Sequence, residues 1–272
     1  MNVFLDFLEP EAKVRILQSS AASTLRAYNR EWDSFCFWCH DNEEVPLPAN
    51  ERAVASYLET CAEQLSMSTL YRKSAAIGCL HDLNNFPSPS HTPAIKSLLE
   101  RIRLTKSAER IQKSPLMEAD VRQMVDALPI NLLGERDRCL LLVGFAAGLQ
   151  RSELVALDTA HVVTTTVGMT ISIVKQNSTR RVVIPAGGNP ATCPVKAYDT
   201  WLERSEIHSG PVFRWVTRHG QVRDLRLSDK SVSLVIKRAV STLGKDPAKF
   251  SSQSLISGRR ASFDTVGAKR TG

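Results

Sequence analysis

Between Arg136 and Leu149 the sequence reads RDRCLLLVGFAAGL, apolar on nearly every face when wound as a helix. A helix of that kind cannot lie on a surface and has to be enclosed by other elements. With 272 residues, 43% of them hydrophobic, the chain can supply the enclosure, and it is near the size at which chains divide into two domains. The segments nearby suit the task. LMEADVRQMVDAL is an amphipathic helix, and VGMTISIVKQNSTRRVVIP alternates and is rich in β-branched residues. The latter reads as two strands around the turn Lys175–Thr179. CPVKAYDTWLERS and SDKSVSLVIKRAVSTLG give two more helices. This part is expected to be mainly helical with one small antiparallel sheet.

The residues before it read as a separate all-helical unit. Leu25, Tyr28, Trp32, Phe35 and Cys39 recur at three- and four-residue spacing. A second helix follows Asn50 as N-cap, with Val54, Tyr57, Leu58 and Cys61 on one face, and Ser66 to Ser68 cap a third, STLYRKSAAIGCLHDLN. FPSPSHTP breaks the pattern before the short helix TPAIKSLLERIRL. The expected organisation is a helical domain over 1–105, a basic linker over 106–115, and a second domain over 116–272.

Several classes drop out. The sequence has no apolar run of about 18 residues that would span a membrane. The opening MNVFLDFLEPEAKVRIL carries acidic residues inside its apolar stretch, unlike a secretory signal. A cytoplasmic protein is expected, with no membrane partner. Of six cysteines only Cys36 and Cys39 form a C-x-x-C, with no second pair or H-x₃₋₅-H to complete a metal site. Two small apolar residues on an aromatic helix face are expected, with neither metal nor cofactor. The net charge of +7 is uneven: residues 1–105 hold 10 Lys/Arg and 13 Asp/Glu, a net of −3. The remaining 25 basic and 15 acidic residues give +10, the footprint of a phosphate-backbone partner.

Five segments in a fixed order carry a resemblance to a known family: STLRAYNREWDSFCFWC with STLYRKSAAIGCLH, then PLMEADVRQMV, GLQRSEL, the Lys175 hairpin with CPVKAYDTWL, and FSSQSLISG. Together they resemble the tyrosine recombinases of the phage-integrase type over nearly the whole chain. The resemblance implies a helical, SAM-like core-binding domain followed by the recombinase catalytic-type domain. It also implies the family's chemistry, in which a tyrosine hydroxyl attacks a DNA phosphate to leave a 3′-phosphotyrosine link and a 5′ hydroxyl. Without a metal, two arginines offset the phosphate charge through bidentate forks, and a hairpin lysine and a histidine handle protons. Losing one such donor typically costs ~10²–10³ in rate.

The motifs depart from that pattern. In GLQRSEL the first arginine's place holds Gln150, with Arg151 about 100° further around a helix and Glu153 matching the motif's acidic residue. In the second motif Leu255 and Gly258 fix the alignment, so the family's His-x-x-Arg reads Gln253 and Ile256, with Arg259 and Arg260 displaced by three and four residues. The resemblance places the nucleophile beyond this motif, whereas Tyr28, Tyr57, Tyr71 and Tyr198 all precede it and the sequence shown ends at Gly272. Lys175 is then the one retained catalytic position, and a degenerate, C-terminally truncated member is expected.

Binding survives the loss of catalytic groups because affinity for DNA comes largely from distributed phosphate contacts. The candidates are Arg26, Arg30, Arg72 and Lys73, with Tyr71 beside them, and Lys113, Arg151, Arg180 and Arg181 in the basic part. Arg214, Arg218, Arg223 and Arg226 add a cationic loop. The expected partner is double-stranded DNA, alongside an active recombinase or other subunits, and the expected role is an accessory or regulatory one for a mobile element, associated with the nucleoid. One alternative is an active recombinase whose nucleophile lies beyond the chain shown. Another is a protein-interaction relic without a DNA function, for which the −3 balance of the helical part leaves room.

Overall fold

The apolar run forms a helix, α8 (Leu132–Ala147), that is buried along most of its length in the computed structural model. The side chain of Asn131 accepts from the Gly134 amide at 2.9 Å to start it. Gly148 ends it at φ +62°, a left-handed C-cap that a side chain would strain. The structure describes residues 3–19, 22–106, 113–175 and 178–268. Contacts divide the chain into two units, Met1–Arg110 and Ile111–Gly272. Most of the linker expected at 106–115 lies outside the described residues.

In the second unit α7 (Glu118–Asp126), α10 (Pro194–Arg204), α11 (Asp229–Ser241) and α12 (Ser252–Ala268) pack around α8, together with the short α9 (Arg151–Ala156). The core runs through Met124, Leu140, Leu141, Trp201, Val235, Ile236 and Leu255. The hairpin read from the sequence is present as β2 (Gly168–Lys175) and β3 (Ser178–Pro185), antiparallel from Gly168↔Pro185 to Lys175↔Ser178. Its turn residues 176–177 lie outside the described residues. The sheet also has a third strand, β1 (Val162–Thr165), paired to β2. A separate ribbon of β4 (Arg214–Val216) and β5 (Val222–Arg226) makes a second sheet. The expectation of one two-stranded sheet therefore undercounted. VVTT is four residues long and RWV three, too short to register as alternation.

The first unit holds α1 (Val3–Asp6), α2 (Pro10–Ser19), α3 (Ala22–Asp41), α4 (Glu51–Ala62), α5 (Met67–Leu83) and α6 (Pro93–Lys106). Its core is aromatic: Phe35 sits 5.6 Å from Trp32 and 5.0 Å from Tyr57 between ring centroids, with Leu58, Leu70, Ile77 and Ile95 closing around them. Asn50 caps α4 through its side chain at 2.7 Å, as the sequence suggested. Ser66 stands at the N-cap of α5, but its hydroxyl meets Ser68 and Thr69 instead of a backbone amide. Among the described residues no helix is long and apolar enough to cross a membrane.

Candidate functional site

The turn that ends α8 delivers Gln150 to the N-cap of α9 as an exposed side chain. Three residues on, the buried Glu153 reaches back and accepts from the Gln150 amide at 2.9 Å. From β3, Arg180 brings a guanidinium to the same Glu153 carboxylate at 3.3 Å. A cavity of about 160 Å³ opens beside it, lined by Glu153, His161 and Ile173 among others. Lys175 ends β2 opposite Ser178; its side chain lies outside the described residues. Arg151 points away to Asp229 at the start of α11, 3.3 Å away.

Helix α12 supplies the second motif. Leu255 and Ile256 are buried, at 0% and 8% exposure, while Gln253 is exposed. Gly258 lies so close to the backbone of Leu116 that a Cβ there would fall 1.7 Å from its carbonyl oxygen, and Ser254 accepts from the Leu116 amide at 2.9 Å. The helix is thereby held with Arg259 against the end of α8, where its Nε donates to the Ala146 carbonyl at 2.8 Å. Arg260 is exposed. The structure thus gathers Gln150, Glu153 and Arg180 at one end of α9 and sets Arg259 beside Gly148. At the two positions that the resemblance assigns to arginine stand the exposed amide of Gln150 and the buried Ile256.

The cations proposed for the helical unit divide sharply. Arg26 is exposed on α3. Lys73 is not presented to solvent at all: at 4% exposure its ammonium meets Glu31 at 3.1 Å, Tyr57 Oη at 2.7 Å and Ser34 Oγ at 3.0 Å. Arg72 donates to the same carboxylate at 2.8 Å from a half-buried position, and Arg30 reaches it at 3.0 Å with most of its side chain in water. Burial pushes the Glu31 carboxyl up, but bonds from Arg30, Arg72 and Lys73 outweigh it and hold the group below its usual range. Glu31 was not singled out from the sequence. The available signal was an acid beside Trp32 on a helix whose neighbouring face is apolar.

In the basic part, Arg181 is exposed on β3, and Lys113 donates to the Ala248 carbonyl. Two of the four loop arginines are structural. Arg214, 15% exposed, holds Pro211 O and Asp224, and Arg226 fastens the end of α9 through Val155 O at 2.6 Å and Asp158 at 2.6 Å. Arg218 and Arg223 remain exposed. A buried pair that the sequence did not announce, Arg136 on Asp137 at 2.7 Å with Arg238 at 3.3 Å, ties α8 to α11. Burial raises the Asp137 carboxyl despite both guanidiniums.

The C-x-x-C belongs to the core of the first unit. Burial pushes the Cys36 thiol to about 11 and the Cys39 thiol to about 12, far from the thiolate state that redox or metal chemistry needs. Among the described residues no group of His, Cys, Asp and Glu is arranged to hold a metal ion.

No family model matches the chain. It is 32% identical over 261 residues to an integrase/recombinase xerD homolog of Selenomonas ruminantium, covering 92% of this chain and 76% of that one. Solved structures share its fold, among them the following two. A lambda integrase tetramer bound to a Holliday junction matches at 13% identity and a TM-score of 0.57, covering 96% of this chain and 72% of that chain. The XerH site-specific recombinase on palindromic difH substrate, in a post-cleavage complex, matches at 14% and 0.56, covering 79% and 61%.

Proposed function

Because this chain belongs to the tyrosine recombinase family, we propose that it binds double-stranded DNA and acts without cutting it, as an accessory or regulatory component in the recombination or integration of a mobile element. One observation carries the deficiency. Gln150 and the buried Ile256 occupy the two positions from which the family's arginines would clamp a phosphate. An amide offers a hydrogen bond without charge, and an isoleucine offers neither, so charge developing on the phosphate would go uncompensated. DNA binding is supported by the +10 balance beyond residue 105 and by solved relatives of the same fold held on DNA. Among the exposed cations, Arg26, Arg181, Arg218 and Arg223 are offered here as phosphate contacts. Lys73 acts in this reading from inside the helical unit, positioning α5 against α3.

A second reading, an active recombinase with substitute groups, has Arg180 in its favour, since that guanidinium already stands at Glu153. One experiment separates the two. The protein is incubated with duplexes containing a nick that traps covalent intermediates, and binding is followed across a salt series. The proposed function expects a salt-sensitive complex with no protein–DNA adduct. Arg26→Ala and Arg181→Ala should each reduce the slope of log affinity against log salt by about 1. A covalent adduct overturns the deficiency, and failure to bind any duplex overturns the whole reading in favour of a protein-interaction role.

A further inference from the structure

The β4–β5 ribbon presents a half-exposed aromatic side chain that the site above does not use. The chain's four tryptophans are Trp32, Trp38, Trp201 and Trp215. Trp32 and Trp201 are fully buried and Trp38 is half-buried, whereas Trp215 stands 50% exposed on β4. The pairing explains its setting. Arg214 faces Arg226 and Val216 faces Val222, so between these two pairs one residue of β4, Trp215, opposes three of β5, Arg223, Asp224 and Leu225. A bulge of this kind bends the strand and re-aims its side chains. Asp224 is drawn to Arg214 at 2.8 Å, while Arg223 and Leu225 on either side of it stay exposed. The turn joining the strands adds the exposed Arg218, and Gly220 permits its tight return at φ +77°.

An indole stands half in water with an exposed leucine and two exposed guanidiniums on the same small ribbon. Trp201, by contrast, is spent on the core, with its indole N–H on the Val212 carbonyl at 2.8 Å. The combination of a flat aromatic surface with cations within one turn of chain fits a nucleic-acid strand, whose bases offer faces for stacking and whose phosphates take the arginines. Bases inside an intact duplex have no unoccupied face, so an aromatic side chain gains most where the stack is opened.

We propose that the Arg214–Arg226 ribbon is a DNA contact in which Trp215 stacks on a base exposed by local opening of the duplex while Arg218 and Arg223 hold the flanking phosphates. The proposal rests on the DNA-binding reading and adds to it a preference for distorted over intact DNA. Its test uses the full chain with three labelled probes: an intact duplex, the same duplex with a central run of mismatches, and an oligo(dT) strand. Wild type is expected to bind the mismatched duplex more tightly than the intact one, and acrylamide quenching of the exposed indole should fall on binding. Trp215→Ala should weaken binding to the mismatched duplex at least about fivefold while leaving the intact duplex nearly unchanged. Trp215→Phe, which keeps a ring, should restore most of that loss. Arg218→Ala with Arg223→Ala should weaken all three probes. If the intact duplex is bound but Trp215→Ala matches wild type on every probe, the stacking role is overturned and the DNA-binding reading stands. If wild type binds none of the probes, the reading and the ribbon contact fall together.

Discussion

Glu31→Gln isolates the buried charge network of the helical unit. The substitution keeps size and shape but removes the charge that faces Lys73, whose side chain is 5% exposed. Breaking one side of a buried ion pair typically costs about 3–5 kcal/mol, because it strands the other charge. Lys73 would retain Tyr57 Oη and Ser34 Oγ, and the half-exposed Arg72 can turn to water, so the expected loss sits at the lower end, about 3 kcal/mol. Adding Lys73→Met removes the stranded ammonium, and the double variant should return to within about 1 kcal/mol of wild type. With two compact units in the chain, a single unfolding midpoint does not report on one of them. Amide hydrogen exchange resolved over α3 and α5 does. About 3 kcal/mol corresponds to exchange roughly 100-fold faster in the slowest amides of those helices. The same carboxyl sets a pH dependence. Its folded value lies below the ordinary one, so its contribution is present above about pH 4.5 and is lost as pH falls through the lower folded value. The reasoning fails if Glu31→Gln changes exchange by less than about threefold, or if the double variant is no more protected than the weaker single one.

Two further outcomes follow from contacts elsewhere. His81 is fully buried, with Nε2 accepting from the Ala49 amide at 2.8 Å and Nδ1 on the Ile77 carbonyl at 2.8 Å; burial depresses its pKa, outweighing the Ile77 bond and Asp82. The neutral ring is the one that fits, so protection of the Ala49 amide should be full above about pH 6.5 and decline below it, after correction for intrinsic rates; protection independent of pH would refute this. Gly258→Ala forces a Cβ into the Leu116 carbonyl, a backbone obstacle that cannot rotate aside, and should destabilise the second unit by about 3 kcal/mol. Faster exchange and proteolysis around 252–262 is the readout, and an unchanged pattern would show that α12 has room to shift.

What the sequence made legible is what local periodicity encodes. The enclosure of α8, helices α3 to α6 and the β2–β3 hairpin follow from apolar patterns that run over eight residues or more, whereas α1 and α2 were not read from the sequence. The Asn50 cap follows from a partner three residues on, whereas the Gln150–Glu153 turn, of the same spacing, came from the structure. Lys73 was misleading as a surface cation because its partner Glu31 stands 42 positions away on another helix, and no pattern within α5 announces that meeting. Arg180 is 27 positions from Glu153, again beyond any local signal. β4 and β5 were missed for a different reason. Three and five residues broken by a bulge never alternate long enough to be read.

The same distinction governs which arginines can serve a phosphate. A guanidinium already holding a carbonyl or a buried carboxylate would have to give up those bonds to take a new anion, so charge counted along the sequence overstates the charge on offer. Arg136, Arg214 and Arg226 are occupied in that sense. Arg26, Arg181, Arg218 and Arg223 are at the surface and can meet a phosphate at lower cost. The two motif positions differ in kind. At position 150 an exposed amide stands where an arginine could be introduced by substitution alone, whereas Ile256 is packed into the unit at 8% exposure. A guanidinium introduced there would have to leave the core before it could reach an anion. Gln150→Arg should therefore strengthen duplex binding and its salt dependence without restoring cleavage, and the appearance of strand scission in that single variant would show that Ile256 was never the obstacle.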